Sequence, residues 1–190
     1  DPKLKIENPN KPKNITCSAV SFPEKVFALL HWGRSGTGLL HSLIDNHEEV
    51  STLPSIYLSE FFHHSVWREL TEAGWDKLVD RFIAMYPVLF DARDPTPIKS
   101  TEGNYTANLG KKEGLANVGE NRDEYLSLDK ELFRIEMMAH LSHYEYVNAN
   151  SFFKIVHIAY EKVLGNCVKK KSVFYHIHNP SVYSELNFIN

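Results

Sequence analysis

His31-Trp32-Gly33-Arg34-Ser35-Gly36-Thr37-Gly38-Leu39-Leu40 concentrates three glycines, a guanidinium and two hydroxyls within a few residues. Glycines let a backbone turn sharply and come close to an anion, with N–H groups free to point at it. Arg34 adds a full charge whose planar fork suits phosphate oxygens, and Ser35 and Thr37 add hydroxyl donors. A purely structural turn needs one or two glycines and no basic residue. The composition of Gly33, Arg34, Ser35, Gly36, Thr37 and Gly38 therefore points to an anion site.

The flanking residues say how such a loop is held. Val26-Phe27-Ala28-Leu29-Leu30 is a continuous apolar run, which predicts a parallel-sheet strand buried on both faces. Leu39, Leu40, Leu43 and Ile44 fall on one face of a helix over Leu39–His47. A strand, a glycine loop and a helix follow one another, so the loop's N–H groups meet the positive end of the helix dipole.

The spacing Gly33 to Gly38 matches the first half of a Walker A loop. Leu39 and Leu40 then stand where that motif needs its lysine and its magnesium-binding hydroxyl. This argues against nucleoside triphosphate chemistry. Arg34-Ser35-Gly36-Thr37 followed by two leucines instead resembles the 5′-phosphosulfate loop of PAPS-dependent sulfotransferases. Gly38 replaces the second threonine usual there. Leu43-Ile44-Asp45-Asn46-His47-Glu48-Glu49-Val50 resembles the family's following helix and turn, with Glu48 where bacterial members often have proline. The likeness covers about residues 26–62.

The resemblance implies a P-loop sulfotransferase fold, with PAPS as co-substrate, PAP as product and no metal. It implies a hydroxyl or amine acceptor on a small molecule, sugar or lipid. Arg34 and the loop N–H groups would stabilise the charge gathering on the departing PAP. Glu60 is the first choice of general base, because some members carry a glutamate shortly after the second strand. His178, ending a strand at the carboxyl edge of the sheet, is the next. The alternatives are a P-loop kinase of small molecules and a noncatalytic anion-binding domain.

The rest of the chain reads as the frame for this loop. Residues 1–24 are rich in Pro, Lys and Asn and form a leader or linker; residues 25–190 form one α/β domain with a parallel sheet flanked by helices. Val50 to Leu53 is a second strand. Ser59 to Tyr86 is helical and broken near Gly74. Residues 91–122 hold four of the nine glycines and read as a long loop or lid. Ser127 and Ser151 can cap two further helices, the second ending at Gly165, and Ser172–His178 is a strand.

Composition narrows the class. The 190 residues are 43% hydrophobic and 24% charged, with a formal charge of −3. That is globular, and it supplies no basic field for a nucleic acid. No apolar run reaches the roughly 20 residues of a membrane helix. Cys17 and Cys167 read as free thiols in a reducing, cytoplasmic setting; the sequons Asn14-Ile15-Thr16 and Asn104-Tyr105-Thr106 would matter only in a secretory protein. His176-x-His178, His63-His64 and His140-x-x-His143 lack an accompanying carboxylate motif, so no metal site is expected. Arg93-Asp94-Pro95 imitates the family's 3′-phosphate arginine, but it lies in a proline-rich loop and is rejected. The chain begins without methionine, stops soon after its last strand and has no lysine or arginine after Asn179. It reads as the N-terminal part of a sulfotransferase. Residues 1–190 alone are expected to bind PAP weakly and to lack turnover.

Overall fold

A computed structural model describes residues 4–10, 23–54, 61–62, 64–93, 98–99, 106–107, 119–166 and 170–178. Its centre is a three-stranded parallel sheet of β2 (Lys25–His31), β3 (Val50–Thr52) and β7 (Ser172–His178). β7 lies in the middle, so the order is β2-β7-β3. The register pairs His31 with His178 and Thr52 with Phe174. Helix α1 (Thr37–Ile44) connects β2 to β3.

Strand alternation sends successive β7 side chains to opposite faces. On one face Tyr175 packs against Phe62 and Phe153, with centroids 5.7 and 5.2 Å away. On the other, Phe174 and His176 meet His41 of α1. β3 divides in the same way: Ser51 bonds to His157 on the first side, and Thr52 donates to Asp45 on the α1 side at 2.5 Å. The sheet is thus flanked by helices on both faces.

The larger layer holds α2 (His64–Thr71), α3 (Leu78–Met85), α4 (Lys130–Leu141) and α5 (Ala149–Val163). Gly74, at φ 84°, separates α2 from the short 3-10 turn Trp75–Lys77 that leads into α3, as the sequence break predicts. Phe61 is fully buried and lies 5.1–6.5 Å, centroid to centroid, from Phe62, Trp67, Phe82, Tyr86, Phe152 and Phe153. Burying a ring of this size contributes about 1.5–3 kcal/mol, and favourable ring pairs add to it.

Several local expectations are corrected. β2 is not buried on both faces: within the described sheet it is an edge strand with a single neighbour, and Phe27 and Leu30 are exposed. Leu39 and Leu43 of α1 are exposed as well, while His41 is its buried side chain. Asp129, not Ser127, caps α4, accepting from the backbone of Glu131 and Leu132. Ser151 is the third helical residue of α5, one half of a capping box whose N-cap is Asn148. Gly165, at φ 80°, follows the end of that helix.

Part of the 1–24 leader is structured. β1 (Ile6–Glu7) pairs antiparallel with β6 (Tyr146–Val147), and Trp67 Nε1 donates to the Leu4 carbonyl at 2.8 Å. Inside the 91–122 segment, β4 (Ile98–Lys99) and β5 (Thr106–Ala107) pair antiparallel.

The capping box yields a modest prediction. Asn148 Oδ1 accepts from the Ser151 backbone and Ser151 Oγ accepts from the Asn148 backbone, both at 2.9 Å. Asn148→Ala is expected to destabilise the fold by about 1 kcal/mol, read as a lower urea midpoint with an unchanged slope.

Candidate functional site

Parallel strands bring their carboxyl ends to one edge of the sheet, where ligands gather in open α/β folds. His31, Thr52 and His178 end the three strands there, and the glycine loop leaves β2 at that edge. Arg34 stands at φ 62° and Gly36 at φ 76°, ψ 11°, so two left-handed residues curl the chain into α1. For Gly36 this conformation alone explains glycine. Among the described residues, and apart from chain neighbours and the helix's own backbone, no atom lies within 4 Å of where a Cβ would sit at Gly33, Gly36 or Gly38. Internal packing therefore does not demand glycine at 33 or 38, whereas a close-approaching ligand would.

Gly36 is the N-cap of α1 and offers no side-chain cap. The first helical bond runs from Leu40 N to the Gly36 carbonyl at 3.1 Å. The N–H groups of Thr37, Gly38 and Leu39 precede it at a helix start with no side-chain cap, the arrangement that attracts an anion. Arg34 is exposed beside them. Ser35 behaves otherwise than its type suggests: its hydroxyl donates to the Trp32 carbonyl at 2.6 Å and holds the turn closed. Thr37 Oγ1 lies 3.2 Å from His31 Nδ1.

Beneath the loop sits a group of histidines that sequence reasoning missed. His41 Nδ1 and His176 Nε2 are 2.6 Å apart, and the His31 ring stands edge-on to His176 at 5.3 Å. All three are buried. Burial disfavours the charged form of both members of the close pair. It lowers His41, with Asp45 pulling the other way, and lowers His176 to about 4, helped by repulsion from His41 and His31. A signal was available, because Thr37 and His41 are four residues apart on one helix face. His176, which the sequence sets two residues from His178 on one strand face, pairs its ring with His41. Among the described residues no three His, Cys, Asp or Glu side chains cluster to hold a metal.

The other sequence candidates are placed as follows. The His178 backbone pairs with His31 at the carboxyl edge. Arg93 is bonded twice to the Asp91 carboxylate and lies over the Tyr125 ring at 3.7 Å, so its charge is already matched. Asn14, Cys17, Glu60, His63, Asp94, Asn104 and Cys167 lie outside the described residues.

The described residues therefore define an α/β domain whose parallel sheet, flanked by helices, presents a glycine-rich loop and an uncapped helix start at its carboxyl edge. No family model matches the chain, and no curated protein or solved structure matches it. No helix among the described residues is long and apolar enough to cross a membrane.

Proposed function

We propose that this chain binds the 5′-phosphosulfate of PAPS at Gly33–Gly38 and belongs to a sulfotransferase of P-loop fold. One observation carries the reading. The loop joins a sheet strand to an uncapped helix start, curls through Arg34 and Gly36, and continues into Leu39 and Leu40 rather than into a lysine and a hydroxyl. That arrangement offers backbone donors and one guanidinium to an anion while omitting the magnesium anchor of triphosphate enzymes.

In the proposed reaction an acceptor hydroxyl or amine attacks sulfur in line. The new bond to sulfur forms as the bond from sulfur to the bridging 5′-phosphate oxygen breaks. The acceptor's proton passes to a base, and PAP leaves with the bond's electron pair. Arg34 and the N–H groups of Thr37, Gly38 and Leu39 stabilise the charge arriving on that phosphate, donors already in place before it develops. Glu60 and His178 are the proposed bases; the acceptor is a small molecule, sugar or lipid.

The test is thermal denaturation in the presence of PAP, of ATP with magnesium, and of buffer alone. The reading expects PAP to raise the melting temperature and ATP with magnesium to do less. The reverse order would replace it with the kinase reading, and no shift with either would leave a noncatalytic domain. A further expectation is that EDTA leaves the PAP-dependent shift unchanged. Strict need for a divalent ion would count against the assignment.

A further inference from the structure

His31 closes the loop from below. It is the last residue of β2, and Thr37 is the first of α1, so their contact spans the loop's neck. The His31 ring is 4% exposed and is held edge-on by His176, which is itself bonded to His41 of the same helix. The brace is therefore backed by His176 and His41 on the sheet side, and the hydroxyl it meets belongs to the helix start offered to the anion.

The chemistry of that contact has two polarities. With Nδ1 bare, the Thr37 hydroxyl donates its only proton to the ring, and only oxygen lone pairs remain for an incoming oxyanion, which they repel. With a proton on Nδ1, the ring donates to Oγ1, and the hydroxyl proton is free to donate to the anion. We propose that His31 is a positioning residue of the anion loop, and that the Nδ1–H form of its imidazole turns the Thr37 hydroxyl into a donor for the bound phosphate group. The proposal rests on the reading of Gly33–Gly38 as an anion loop and adds to it a residue that does not itself touch the ligand.

Titratable groups face this contact from two neighbouring elements. His176 faces it from β7, and His41 faces it from α1 across the close pair, with Asp45 further along the same helix acting on His41.

The experiment measures affinity for PAP and for pyrophosphate by calorimetry in the parent protein, in Thr37→Val, in His31→Phe, in the double variant and in His31→Asn. Circular dichroism and melting temperature check each fold. Each single change is expected to lower affinity roughly tenfold, about one hydrogen bond to a charged group. His31→Phe should cost nothing further once Thr37 is valine, because the proposed role runs through that hydroxyl. Asparagine, whose amide can donate from nearly the same position, should restore much of the loss. Long-range proton–nitrogen spectra of histidine-labelled parent protein give a readout that needs no variant: saturation with PAP should place the proton of His31 on Nδ1. Additive losses in the double variant, or a bare Nδ1 in the complex, would overturn the role of His31 and leave the loop reading standing. Failure of the parent protein to bind either PAP or pyrophosphate would overturn both.

Discussion

Arg34→Ala is expected to lower affinity for PAP between about tenfold and a hundredfold, the range for losing a hydrogen bond to a charged group. The side chain is exposed, so its removal takes little from the core, and the melting temperature without ligand stays close to the parent's. Arg34→Gly sharpens the test. The residue stands at φ 62°, where glycine is at ease and other residues are strained. The glycine variant should therefore fold at least as stably as the alanine variant while binding PAP equally poorly, which separates charge from backbone shape. Arg34→Lys should lose less, since an ammonium keeps the charge without the fork. The loss should shrink as salt is raised, because an exposed guanidinium is screened. Isothermal titration at two ionic strengths measures all of this, and unchanged affinity in the alanine variant would remove the loop from the anion site.

Acid is expected to weaken the fold well above the range in which carboxylates titrate. His157 is completely buried, with Nδ1 2.9 Å from Ser51 Oγ and the Phe153 ring 4.7 Å away, and Nε2 has no hydrogen-bond partner among the described residues. Burial pushes its pKa down to about 3, and that of His176 to about 4. Unfolded, both take up a proton near the ordinary value of about 6.5. Between pH 6.5 and those folded values the unfolded state binds more protons, so stability rises with pH there. The stabilising contribution is complete above about pH 6.5 and drains away as the solution is acidified. Each pH unit costs about 1.4 kcal/mol per such histidine, so acidification to pH 4.5 removes about 3 kcal/mol through His157 and somewhat less through His176. Urea midpoints at pH 7.5, 5.5 and 4.5 check this. The paired change His157→Leu with Ser51→Ala should keep more of its stability at pH 4.5 than the parent does. A flat profile between pH 7.5 and 4.5 would show that these rings are not held neutral by burial.

The elements that were legible in the sequence are those with a local cause. The run Ser172–His178 is a strand over the same residues, and Gly74 falls in the break between α2 and the 3-10 turn that follows it. The glycine loop announces itself because its conformation and its donors come from consecutive residues. Phe152, Ile155, Val156, Ala159 and Tyr160 are buried along α5 as their 3.6-residue spacing predicts. Even the capping of that helix was half visible, since Ser151 takes part, though as the partner of Asn148.

Other features depend on which residues the fold brings together. An apolar run such as Val26–Leu30 has the same pattern whether its strand is central or at an edge; only the order β2-β7-β3 leaves Phe27 and Leu30 exposed. The leucines of α1 have a helical spacing, but spacing fixes only which residues share a face. Its docking on β7 decides that His41 is covered and that Leu39 and Leu43 are not. The pairs His41–His176 and Ser51–His157 join residues more than a hundred positions apart. Their short distances, and the burial that holds His176 and His157 neutral, arise from parallel pairing and helix packing. Local sequence determines the loop's donors because those are backbone and neighbouring groups. Tertiary structure alone decides what lies beneath the loop, because burial and long-range contact are properties of the packed chain.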